Sequence, residues 1–136
     1  LESLVIYLLI NYPDKSFERL KKLIDNNVIK IERNKAIINK LYEEHEKGNI
    51  NIENILDLFD DEITVNYLSG IMSSDFEITD VDKCIEDVLV TYRKELLLQR
   101  RNEILGKIDN NDLTKEEVAN LEAQLNEVII QLAKIK

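Results

Sequence analysis

Proline and glycine are scarce in this 136-residue chain, at one and three, and there is a single cysteine and a single histidine. So few helix breakers, beside abundant Leu, Ile, Glu, Lys and Asn, predict an all-helical protein. The lone Cys84 excludes an internal disulfide and fits a reducing compartment. With no histidine near it in sequence, Cys84 is expected as a buried, inert thiol. His45 follows Glu43 and Glu44, and neither stands three or four residues away, so the helical two-ligand metal spacing is missing. At the edge of an apolar stripe near a helix end, it reads as a packing residue. No Gly-rich phosphate loop, paired-Cys zinc spacing or nucleophile elbow is present. The sequence therefore carries no signature of catalysis, and no cofactor or metal is expected. Leu4 to Ile10 is apolar, but a bilayer span needs about 20 such residues. The segment also has no basic flank that would make it a signal peptide. A cytoplasmic protein is expected, and because Leu1 is not a start methionine, one cut from a longer chain.

Bases are outnumbered as well. The net charge is −9, which argues against a general nucleic-acid binder, since phosphate contact needs a basic face. The imbalance is uneven: Tyr92 to Lys107 holds five bases and two acids, a local +3 that leaves −12 elsewhere. Asp57, Asp60, Asp61 and Glu62 form the densest acidic cluster. Metal ligands would have to converge from several elements, so four acids at a helix junction read as a cap meeting solvent.

Of what is there, hydrophobic residues make up 44% of the chain, enough to fold. Leu4, Val5, Leu8 and Leu9 recur at helical spacing up to Pro13. Phe17, Leu20, Leu23 and Ile24 mark a second short helix, entered from Asp14 or Ser16 and closed by Asn26 and Asn27. Ile37, Ile38, Leu41, Tyr42 and His45 stripe a third, which Gly48 ends as a C-cap. Ile52, Ile55, Leu56 and Phe59 predict a fourth, short helix. A fifth carries Val65, Leu68, Ile71 and Met72, with Gly70 as its weak point. No segment alternates long enough to predict a strand.

From Thr79, as N-cap with Asp82 three residues on, nothing breaks the helix until about Ile108. At about 1.5 Å per residue such a helix is roughly 45 Å long, so its end is expected to project from a bundle of this size. Asp109, Asn110, Asn111 and Asp112 make a turn, and Thr114 to Glu117 is a capping box for a last helix. There Val118, Leu121, Leu125, Val128, Leu132 and Ile135 step by three and four, a heptad seam. Its expected partner is the end of the long helix, through Leu97 or Leu98, Ile104, Leu105 and Ile108. The predicted architecture is all-α: a compact bundle over residues 1–95 and a protruding C-terminal helical hairpin over 96–136, bridged by a long helix at about 80–108.

Ile129 and Ile130 cannot both join that seam beside Val128, so apolar surface should stay exposed on the hairpin, which marks a partner surface. Arg93, Lys94, Arg100 and Arg101 are interleaved with Glu95 and Glu103, and the only aromatic beside them is Tyr92, which reads as a solvated helix face.

The order of these features resembles the C-terminal domain of bacterial DnaG-type primase. It is carried by "LLINYPD", "NKAIINKLYEEHEKGNINIENIL" and above all "CIEDVLVTYRKELLLQRRNEI", followed by the heptad helix. The likeness runs over essentially the whole chain. It implies a non-catalytic domain that binds the N-terminal domain of the replicative DnaB-type helicase through the hairpin. The zinc-binding and primer-polymerising domains would lie ahead of Leu1. A second partner implied by the resemblance is the acidic tail of a single-strand-binding protein. Within that frame the expected helicase contacts are Ile129, Ile130 and Ala133, with Arg100 and Arg101 as charge partners. Two alternatives stay open: the N-terminal domain of a replicative helicase, which shares the bundle pattern, and a nucleic-acid-binding helical module using residues 93–101. For the first, the capped turn and the end at Lys136 favour the primase reading; for the second, strong direct binding to nucleic acid is not expected.

Overall fold

A computed structural model describes residues 1–25, 28–48, 50–51, 53–110 and 112–135. Its elements are α1 (Glu2–Asn11), α2 (Pro13–Lys21), α3 (Glu32–Glu46), a 3₁₀ turn (Ile55–Leu58), α4 (Glu62–Met72), α5 (Val81–Ile108) and α6 (Lys115–Lys134). Among the described residues there is no strand, as expected. None of their helices is long and apolar enough to cross a membrane. The chain divides into two compact units, Leu1–Leu89 and Val90–Lys136, where the sequence pattern set a division near residue 95.

The first unit is built around α1. Val5, Ile6, Leu8, Leu9 and Ile10 are all buried, and residues adjacent in a helix point to different sides. A helix buried all round belongs at the centre, and α2, α3 and α4 each pack against it. Pro13 was expected to end α1. It also opens α2 at the first helical position, where its missing N–H costs nothing because that donor has no partner within the helix. Asp14 and Ser16 therefore do not start α2. Ser16 is buried, and its hydroxyl donates to the Leu8 carbonyl at 3.0 Å. The expected closure at Asn26 and Asn27 lies outside the described residues; α2 itself ends at Lys21, and the Ile24 N–H still donates to the Leu20 carbonyl at 2.7 Å.

In α3 the predicted stripe faces the core. The Tyr42 hydroxyl donates to the Ile24 carbonyl at 2.9 Å, and Gly48 just past the helix has φ 75°. That left-handed conformation suits glycine, as a C-cap requires. Where the pattern predicted a helix through Ile52 to Phe59, the described part is a single 3₁₀ turn, and Ile52 is not among the described residues. Asp61 caps α4: its carboxylate accepts from the Ile63 N–H at 3.2 Å and the Thr64 hydroxyl at 2.8 Å. With Asp57, Asp60 and Glu62 it stays exposed, so this acidic cluster is a helix cap facing solvent. Thr79 does not cap α5; the Asp80 carboxylate does, accepting from the Lys83 N–H at 3.1 Å.

Polar contacts join the first unit's helices. Arg19 of α2 reaches Asp82 at 3.2 Å and Glu86 at 2.6 Å on the first turns of α5. His45 stacks on Phe17 with centroids 3.8 Å apart, its predicted packing role. Cys84 is half-buried where full burial was expected; burial, then the charge of Asp87, push its thiol up.

Candidate docking surface

The second unit pairs the C-terminal part of α5 with α6. Thr114 caps α6, its hydroxyl accepting from the Glu117 N–H at 3.1 Å. All six predicted seam residues of α6 are at least partly covered: Val118, Leu121, Leu125, Val128, Leu132 and Ile135. Val128 is buried outright, as is Ile104 of α5. On the α6 side Gln124 is the one further residue with intermediate burial. The heptad pattern thus names the covered face of α6. The turn between the helices holds Asp112, whose N–H donates to the Asn110 side chain at 3.1 Å; Asn111 lies outside the described residues.

On α5 the seam differs from expectation in one place. Leu105 is 42% exposed and does not enter it. Stepping from Leu97 by four, three and four residues reaches Arg101, Ile104 and Ile108, all at least half-covered. Arg101 therefore enters a seam it was not predicted to join, and its Nε is buried with no hydrogen-bond partner among the described residues. Two seemingly equivalent arginines are thus separated: Arg100 is exposed, whereas Arg101 turns toward the seam.

Ile129 and Ile130 are 48% and 50% exposed, and Ala133 is exposed too. Each residue advances about 100° around a helix, so Ile129, Ala133 and Ile130 fan over the arc turned away from Val128. Ala133 lies one turn beyond both isoleucines and closes the patch. This surface is apolar at its centre and has no seam partner.

The other flank of the hairpin carries three shallow clefts. In the first, Arg93, Leu96 and Leu97 face Gln131, Lys134 and Ile135. In the second, Arg100 faces Ala123, Gln124, Glu127, Val128 and Gln131. In the third, Lys107 and Asn110 stand with Leu113, Glu117, Asn120 and Leu121. Rising α5 numbers meet falling α6 numbers, so the two helices run antiparallel. Arg93, Gln131 and Lys134 belong to this flank; the sequence reading weighed Arg93 only within the basic stretch 93–101 and passed over Gln131 and Lys134. The signal was present in the seven-residue spacing of Arg93, Arg100 and Lys107.

No protein-family model, curated protein or solved structure matches this chain.

Proposed function

We propose that this chain is a non-catalytic interaction domain whose C-terminal hairpin docks onto a partner protein. By resemblance to the C-terminal domain of DnaG-type primase, that partner is the N-terminal domain of a DnaB-type replicative helicase. The observation that supports the reading best is the pair Ile129 and Ile130, about half exposed on a helix whose seam is already filled. Isolated exposed apolar residues are common, but two isoleucines with Ala133 one turn on make a compact patch that gains free energy when covered. Arg100 stands in a cleft on the other flank of the hairpin and does not adjoin the patch. Arg101, turned toward the seam, is better suited to positioning α5 against α6 than to meeting the partner directly.

In this role the domain recruits a primase to the fork for primer synthesis and regulates through contact, with chemistry left to other domains. The test is calorimetric titration of this chain into the helicase N-terminal domain from the same organism. Saturable binding unaffected by excess single-stranded DNA supports the reading. No heat and no complex at high micromolar concentration would reject it. Binding to the DNA alone, fading steeply with salt, would favour the nucleic-acid module instead.

A further inference from the structure

Arg93, Arg100 and Lys107 each stand in a different one of the three clefts. They are seven residues apart along one face of α5, so their cations recur at intervals of about 10.5 Å. The ion pairs from Lys15 to Glu86 all lie in the first unit, and none of them involves these three cations. Among the described residues the three cleft cations have no ion-pair partner, although Glu127 and Glu117 line two of the same clefts. Each cation stands beside apolar floor: Leu96, Leu97 and Ile135 in the first cleft, Val128 in the second, Leu113 and Leu121 in the third. Gln131 lines both the first and the second, which makes them one continuous groove.

We propose that this groove is a second docking surface, distinct from the Ile129–Ile130 face, and that it receives an acidic amphipathic helix from a partner protein. The spacing selects the occupant. Side chains on one face of a strand recur about every 6.6 Å and do not keep step with charges spaced as these are, and although every third phosphate of a DNA strand would, a chain of net charge −9 repels a polyanion. A helix with a carboxylate every seventh residue keeps step, and it brings an apolar stripe at the same period to fill the clefts. The guest becomes the third helix of a short coiled coil. Lys134 stands with Arg93 at one end, while Glu127 and Glu117 stand with Arg100 and Lys107 farther along. The most acidic end of the guest therefore belongs at the Arg93 end, and this sets its direction.

The probe is a synthetic peptide of three heptads, with leucines at the two seam positions and glutamates along one flank; its counterpart carries lysines there. Titrated into the isotope-labelled chain, the glutamate peptide should shift the amide resonances of Arg93, Leu97, Arg100 and Gln131 and leave those of Ile129 and Ile130 in place. Arg93→Glu with Arg100→Glu should weaken it at least tenfold and let the lysine peptide bind in its stead, while Ile130→Asp should change neither. If the charge-reversed variant loses helix, Arg93→Gln with Arg100→Gln is read in its place and should also weaken the glutamate peptide. Equal binding of both peptides to the unmodified chain, shifts confined to the Ile129–Ile130 face, or no binding at millimolar peptide would each overturn the proposal. Because the probe is not the helicase, failure here leaves the helicase reading standing, and the reverse also holds.

Discussion

The side-chain amide of Asn34, buried in α3, donates to the carboxylate of Glu2 in α1 at 2.8 Å. The same carboxylate accepts from the Lys30 and Ile31 N–H groups at 2.9 and 3.3 Å, and the Tyr67 hydroxyl of α4 donates to the Asn34 carbonyl oxygen at 2.7 Å. One acidic side chain thus organises the entry to α3 and links three helices. Partial burial pushes the Glu2 carboxyl up, but the donors from Asn34, Lys30 and Ile31 outweigh it and hold it below its ordinary value of 4.5. A carboxylate lowered on folding stabilises the fold above the unfolded-state value, and that contribution fades as pH falls through the folded one. Glu2→Gln should therefore lower the melting temperature at pH 7, with the gap to the unmodified chain narrowing below pH 4.5. Thermal melts across that range check it.

The first unit should fold without the hairpin. Its core of α1 surrounded by α2, α3 and α4 is closed by Ile85, Val88 and Leu89 on the opening turns of α5. A fragment of residues 1–95 should give a helical circular dichroism spectrum and a cooperative melt, though a domain this small is only modestly stable. A disordered spectrum would contradict the division of the chain.

Arg101 should be replaceable at a gain in stability. Its Nε is buried without a partner among the described residues, and an unmet buried donor costs about 1–3 kcal/mol. Arg101→Leu keeps the apolar stem and removes the donor, so it should raise the hairpin's denaturation midpoint. A drop would mean that the guanidinium holds the seam together by contacts other than hydrogen bonds at Nε.

Direct binding to nucleic acid should be weak. Residues 1–89 carry ten Lys and Arg against 19 Asp and Glu, and residues 90–136 carry eight of each, so neither unit is net positive and the local +3 of residues 92–107 is outweighed. Fluorescence titration with single-stranded DNA at physiological salt should show no submicromolar affinity.

The parts of this fold that the sequence made legible are those where one period dominates. The six covered positions of α6 follow directly from the three-and-four stepping of its apolar residues, and the stripe of α3 likewise. α5 was harder to read because two rules conflict there. Charge places Arg101 with Arg100 on a solvated face, whereas the heptad step from Leu97 to Ile104 carries it into the seam. Leu105 was drawn into the predicted seam by its hydrophobicity, although it lies about 100° beyond Ile104 around the helix. Pro13 could be read either as a stop or as a start, and here it is both. The Glu2–Asn34–Tyr67 network joins residues far apart in the chain, which no local pattern signals. Of the candidate site, Ile129 and Ile130 were legible because they fall outside a seam that was itself legible.

That exposed pair also gives the most direct measurement. Ile130→Asp puts a charge on the outer arc of α6, away from the seam, so the hairpin should keep its helix content. Leu125→Asp strikes the seam and should lose it. The decisive experiment is titration of the Ile130→Asp chain into the N-terminal domain of the DnaB-type helicase, beside the unmodified chain and with circular dichroism of both. The expected result is unchanged helicity with at least tenfold weaker binding, about 1.4 kcal/mol, a modest loss for burying an unpaired charge in an apolar contact. Full-strength binding by the intact, helical variant would contradict the claim that this face docks.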